Sequence, residues 1–283
     1  MTEAEFDILR AFLKGRSGLA LSPEKRYLVE SRLGPVCQKS GLPALSDLVA
    51  RLKIARDPAL ERAVVEAMAT NETFFFRDRV PFDLFRDVLL PRGLKAQGAT
   101  RRLRIWCAAA STGQEPYSIA MLVQEAGPRL AGWHVEIVAT DISESVLEKA
   151  RSGLYSQFEV QRGLPIGLLL KHFTQAGESW QIAPAIRAMV DFRPLNLLQD
   201  FSRLGAFDVV FCRNVLIYFD QATKADVLRR VAQALNPGGA VLLGAAETVI
   251  GLSDALVPHP ELRGAYVARR SGEVAPKRAA ATR

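Results

Sequence analysis

The sequence predicts an α/β fold built on a mostly parallel sheet, preceded by a helical domain and interrupted by a small antiparallel β-subdomain. Arg104 to Met121, RIWCAAASTGQEPYSIAM, reads as a strand, a turn of small residues and a helix. Val135 to Ser143, VEIVATDIS, reads as a second strand ending on Asp141. Phe207 to Asp220, FDVVFCRNVLIYFD, reads as a further strand of the same sheet, with a helix expected over 221–235. Strands that alternate with helices are connected by crossovers, and crossovers make parallel sheets.

The first of these units organises the chain. Leu103, Ile105 and Cys107 alternate as in a buried strand. The residues from Ala108 to Gly113 are small enough for a ligand to approach the backbone closely, as in the nucleotide sites of open α/β sheets. Glu115-Pro116 then opens a helix, where proline suits the first turn. The glycine-rich GxGxxG is absent; Ala109, Ser111 and Gly113 stand at the alternate positions. Asp141, at the tip of the second strand, falls where such folds hold ribose hydroxyls. The alternative for Asp141 is a cap on the helix that starts at Ser143. The strand from Phe207 delivers Arg213, Asn214 and Tyr218 to the same sheet edge.

Residues 1–75 read as helices. Phe6, Leu9 and Leu13 make one stripe; Ser22-Pro23 starts another, which Gly34-Pro35 is expected to interrupt. Between Arg10 and Arg56 there are ten basic and three acidic residues, an excess of seven positive charges. This is either a solvated helical surface or a docking face for something acidic, and the segment as a whole favours docking. Asn71 to Arg79, NETFFFRDR, places three phenylalanines at an elbow between domains, which holds Asn71, Thr73 and Arg77 at the sheet edge. A linker is expected from Pro91 to Thr100. The β-subdomain is expected at about 155–190, with short strands near 172–182 and 187–193 and a return to the main sheet at Val190–Phe192. A hairpin at about 256–269 should close the sheet antiparallel. The second domain thus spans 76–270, and 271–283 is read as a disordered tail.

Composition narrows the classes. The 283 residues carry a net charge of +7, which favours an acidic partner. Cys37, Cys107 and Cys212 are far apart with no CxxC, and the three histidines are scattered. Neither a disulfide framework nor a metal site is expected, and the cysteine usage fits a reducing cytoplasm. The acidic N-terminus is not a signal peptide, and no apolar run has membrane-spanning length.

The parallel sheet, the small-residue turn, the acidic second strand and Leu235-Asn-Pro-Gly-Gly before a late strand resemble a class I S-adenosylmethionine methyltransferase, a Rossmann-like fold. NETFFFRD, AAASTGQEPYSIA, ATDISESVLEKARSGLY and FDVVFCRNVLIYFD narrow this to a resemblance to the CheR family of chemotaxis receptor methyltransferases, from about Leu19 to Val267. The resemblance implies methyl transfer from S-adenosylmethionine to receptor glutamates, giving methyl esters and S-adenosylhomocysteine. It implies that Asn71, Thr73, Arg77, Glu115, Asp141, Asn196, Leu197, Arg213 and Asn214 hold the cofactor. Arg77 and Tyr218 would act nearest the chemistry, Tyr218 with packing under the sheet edge as its alternative. The implied partners are the cytoplasmic helical domains of chemoreceptors, met by Arg26 and Arg32. A receptor C-terminal tail peptide on the β-subdomain is a further partner. A monomer acting in the cytoplasm, without metal or nucleic acid, is the expected state. The sequence departs from the family at Gly244-Ala-Ala-Glu247, where Gly-His-Ser-Glu is frequent, and at Gln114, where Glu is common.

Two other readings compete. A basic chain can be a nucleic-acid methyltransferase, but Cys212-Arg-Asn-Val215 stands where base amino-group methyltransferases often carry Asp/Asn-Pro-Pro-aromatic. A non-catalytic S-adenosylmethionine-binding signalling module is the second.

Overall fold

A computed structural model describes residues 1–54 and 56–269; the expected tail at 271–283 lies outside them. Four helices open the chain: α1 (Glu3–Ser17), α2 (Arg26–Lys39), α3 (Leu45–Ile54) and α4 (Pro58–Met68). Thr2 begins α1 with a reciprocal cap, its hydroxyl accepting from Glu5 N while the Glu5 carboxylate accepts from Thr2 N. Leu9, Leu13, Leu33, Leu48 and Val64 are fully buried in a core of their own. Gly34-Pro35 does not interrupt α2, contrary to the pattern. Ser31, whose carbonyl loses its amide partner to Pro35, is exposed, so water can satisfy it, while Leu33, Val36 and Cys37 keep the inner face apolar.

The expected linker at 91–100 is also mostly helix. Val80–Leu84, a π-helical segment Phe85–Leu89 and Leu90–Ala96 run without a break. Phe85, Leu89 and Leu90 are buried under the sheet, which outweighs the local Pro and Gly.

The strands are β1 (Arg102–Cys107), β2 (His134–Asp141), β3 (Leu154–Ser156), β4 (Phe173–Ala176), β5 (Ser179–Ile182), β6 (Val190–Pro194), β7 (Phe207–Cys212), β8 (Leu235–Leu243), β9 (Leu256–Pro258) and β10 (Ala265–Ala268). The main sheet has the order β6-β2-β1-β7-β8-β10-β9. Its first five strands are parallel, and β10 runs antiparallel to β8 and β9. Leu103, Ile105 and Cys107 of β1 face one core, while Trp106 faces the other, against Phe201 and Phe207. Both faces are covered, as a parallel sheet requires.

The insertion forms a separate sheet, β3-β5-β4. The return to the main sheet falls at Val190–Phe192 as expected, in β6; the strand read from 187 starts only at Val190, because Pro184–Arg187 is helical. Phe75 and Phe76 are buried, as the elbow reading required, and Phe75 meets Tyr155 and Phe173 edge-on at 5.1 and 5.7 Å. Phe74 stays half-buried, with the guanidinium groups of Arg162 and Arg77 4.3 and 5.7 Å from its centroid.

The helical domain docks on the strand ends of the main sheet. Leu19 makes an antiparallel bridge to Phe219, Ala20 N donates to Tyr218 O at 2.8 Å, and Lys14 pairs with Asp220 at 2.6 Å. Glu66 of α4 accepts from Glu144 N at 2.9 Å, capping the first turn of a helix in the sheet domain. No helix among the described residues is long and apolar enough to cross a membrane.

Candidate active site

The C-terminal ends of β1, β2 and β7 open into one cleft of about 990 Å³, counted with its mouth. Ten sequence-predicted residues line it: Asn71, Thr73, Arg77, Glu115, Asp141, Asn196, Leu197, Arg213, Asn214 and Tyr218. They come from the elbow, from the helix after β1, from the last residue of β2, from the loop after β6 and from the turn after β7. Ser17, Leu19, Val65, Ala69 and Thr70 of the helical domain complete the wall.

The turn after β1 is held in shape by its neighbours. Ser111 takes the left-handed backbone conformation with φ 49°, which costs an L-residue stabilisation unless surrounding bonds fix it. Its N–H donates to Asp141 Oδ2 at 2.8 Å and its hydroxyl to Asn71 O at 2.8 Å. Gly113 has φ 94°, and a Cβ there would lie 2.9 Å from Ala150 Cβ and 3.0 Å from Tyr155 Oη. Only glycine satisfies both conditions.

Asp141 is 8% exposed and accepts from Ser111 N and, through Oδ1, from Ser143 N at 3.0 Å. Burial pushes its carboxyl above the usual range, and the two amides oppose that rise. The helix after it is capped by Ser143, whose hydroxyl accepts from Val146 N. Asp141 thus braces the turn from below while still facing the cleft.

Glu115 and Arg213 form a buried pair at 2.8 Å. A second carboxylate, Asp78, takes Arg213 Nη2 at 2.7 Å, and Arg77 O takes the same nitrogen at 2.9 Å. Arg213 Nε is buried with no partner. Burial raises the Glu115 carboxyl, with Arg213 pulling it back. Arg77 itself is half-buried at the cleft and donates through Nη1 to Glu72 O at 2.7 Å. Asn196 spends its amide on the domain contact, donating to Arg16 O at 2.6 Å.

Arg26 and Arg32, the two residues expected to meet a partner, lie outside the cleft. Arg26 is half-buried, its guanidinium 6.0 Å from the Phe6 ring centroid. Arg32, also half-buried, is engaged within the helical domain. Its Nη1 donates to Met68 O at 2.8 Å, Ala69 O at 3.1 Å and Thr70 Oγ1 at 3.3 Å. It closes the C-terminus of α4, whose last carbonyls have no helical partner.

Sequence reasoning passed over Asp78 and the part Glu247 plays. A buried arginine demands compensating charge, so the acid beside Arg77 was the available signal for Asp78. No group of three or more His, Cys, Asp or Glu that could hold a metal ion occurs among the described residues.

Two family models match the chain: "CheR methyltransferase, all-alpha domain" over residues 4–69 and "CheR methyltransferase, SAM binding domain" over 71–260. The chain is 45% identical over 257 residues to chemotaxis protein methyltransferase 1 of Pseudomonas aeruginosa, covering 89% of this chain and 92% of the relative. It is 43% identical over 257 residues to the chemotaxis protein methyltransferase of Vibrio parahaemolyticus, covering 90% and 92%. With its all-α domain, its mostly parallel sheet and its inserted antiparallel sheet, the chain belongs to the CheR family of chemotaxis methyltransferases.

Proposed function

We propose that this cytoplasmic enzyme methylates glutamate side chains on the helical cytoplasmic domains of chemoreceptors, forming methyl esters in adaptation. One observation carries the reading: elbow, small-residue turn, buried acids and Tyr218 converge on a single cleft at the strand ends. The donor set fits S-adenosylmethionine. Asp141 offers unfilled carboxylate lone pairs to hydroxyls; Glu115 brings negative charge to the cleft wall for an ammonium group; Arg77 suits a carboxylate. Thr73, Asn196, Leu197 and Asn214 supply the remaining walls.

When bound, the cofactor supplies an electrophilic methyl group. The protein's own task is alignment and exclusion of water. A glutamate acceptor with an ordinary pKa of about 4.3 is ionised at neutral pH and needs no general base. This agrees with a site whose acids are committed to Arg213 and to backbone amides. Tyr218, half-buried on the cleft wall, orients the acceptor. The basic helical domain meets the receptor, and the β-subdomain offers a place for a receptor tail.

The test is labelled methyl transfer from S-adenosylmethionine to receptor membranes, followed by mild alkali. Release of the label as methanol is expected. Label that survives alkali, or appears only on added RNA, overturns the assignment.

A further inference from the structure

Glu247 stands four residues beyond the end of β8, in Gly244-Ala-Ala-Glu247. Its half-buried carboxylate gathers three backbone N–H groups. Oε2 accepts from Gly244 N at 2.7 Å and Asn214 N at 2.8 Å; Oε1 accepts from Ile217 N at 3.2 Å. Two of these donors belong to the turn after β7, about thirty residues earlier in the chain. Asn214 opens that turn in the left-handed conformation, φ 57°, and Leu216–Tyr218 complete it as a 3-10 turn. Asn214 and Tyr218 both line the cleft.

The turn is gripped from two sides. Ala20 of the helical domain donates to Tyr218 O at 2.8 Å, and Glu247 holds the amides at its start and middle. A carboxylate suits this arrangement because it only accepts, whereas an amide side chain would bring an NH₂ against one of three converging donors. Gly244 belongs to the same clasp. A Cβ there would lie 2.9 Å from Asn214 N and 2.8 Å from both Asn214 Nδ2 and Glu247 Oε2. A side chain at 244 would therefore displace the carboxylate or the turn.

We infer that Glu247 is a positioning residue for methyl transfer, fixing the Asn214–Tyr218 turn so that Tyr218 keeps its place on the cleft wall. Glu247 touches neither cofactor nor acceptor in this reading; it acts through Tyr218. The inference rests on the assignment of methyl transfer to this cleft.

A double-mutant cycle with Tyr218 tests it. The readout is kcat for receptor methylation by wild type, Glu247→Gln, Tyr218→Ala and the double variant, with folding checked by circular dichroism. Glu247→Gln is expected to lower kcat more than tenfold. The double variant should fall well short of the product of the single losses, because a mispositioned turn has little left to lose when Tyr218 is gone. Gly244→Ala, which keeps the carboxylate and crowds the same turn, should couple to Tyr218→Ala in the same way. If Glu247→Gln does not fold, Glu247→Asp carries the same cycle with the same two outcomes. Single losses that multiply, or a Glu247 variant with wild-type kcat, overturn the inference. A wild-type protein that transfers no methyl to receptor overturns the functional assignment instead, so the two failures are distinct.

Discussion

Arg213 and Glu115 face each other at 2.8 Å with side chains 1% and 9% exposed, which makes them the most deeply buried ion pair of the cleft. Removing one partner of a buried pair leaves an uncompensated charge and costs about 3–5 kcal/mol. Asp78, at 2.7 Å and 37% exposed, takes up part of that charge. Glu115→Ala is therefore expected at the lower end, about 3 kcal/mol. For a chain of this size that corresponds to a fall in Tm of roughly 6–12 °C, checked by thermal unfolding of the protein without ligand. An unchanged Tm would mean that Asp78 alone balances Arg213.

Asp141→Ala removes the acceptor that braces Ser111 and faces the cleft. Hydrogen bonds to a charged group are worth about 1.5–3 kcal/mol, so affinity for S-adenosylhomocysteine should fall roughly ten- to hundredfold. Calorimetry measures this directly, and wild-type affinity in the variant would remove Asp141 from the site.

The two arginines of α2 should separate. Arg26→Glu reverses a charge on the basic helical face and should slow receptor methylation at low salt while cofactor affinity holds, because steering acts on association and is screened over about 8 Å at physiological ionic strength. Arg32→Glu breaks the bonds to Met68, Ala69 and Thr70. Since Ala69 and Thr70 wall the cleft, this variant should lose both Tm and S-adenosylhomocysteine affinity. Equal behaviour of the two variants in both assays would contradict this division of labour.

Glu136 carries the acid sensitivity of the sheet's outer end. Arg104 and Arg102 hold its carboxyl down to about 2, Arg104 through two hydrogen bonds of 2.8 and 2.9 Å. A carboxyl depressed in the folded state contributes stability above its unfolded pKa, and that contribution drains away as pH falls through the folded value. The difference in Tm between wild type and Glu136→Gln should be largest above about pH 4.5 and shrink as pH falls toward 2. A difference that stays constant across this range would assign the effect to packing.

Much of this architecture could be read in advance, and what could not has a common cause. The alternation in β1, the small turn after it and the acid ending β2 are local patterns, each written in consecutive residues. So is the Phe75-Phe76 pair that seals the elbow. Arg32 looked like one more surface cation because its partners lie 36 to 38 residues away. Glu247 was noticed for the residues around it, since its bonds reach 30 and 33 residues back to a turn whose shape no periodicity encodes. Pro35 misled because helix breaking is an average property, and here the inner face of α2 stays buried through Leu33, Val36 and Cys37 while Ser31 is exposed.

The cleft takes part of its wall from the helical domain, at Ser17, Leu19, Val65, Ala69 and Thr70. A molecule seated there touches both halves of the protein at once. Its binding energy then includes whatever it adds to their mutual contact, and linkage makes that contribution equal in both directions. A receptor helix that shifts α2 against the sheet domain would change how tightly the methyl donor is held. By the same amount, the donor's presence would change how tightly the receptor helix is held, a reciprocity that would run through the Leu19–Phe219 seam.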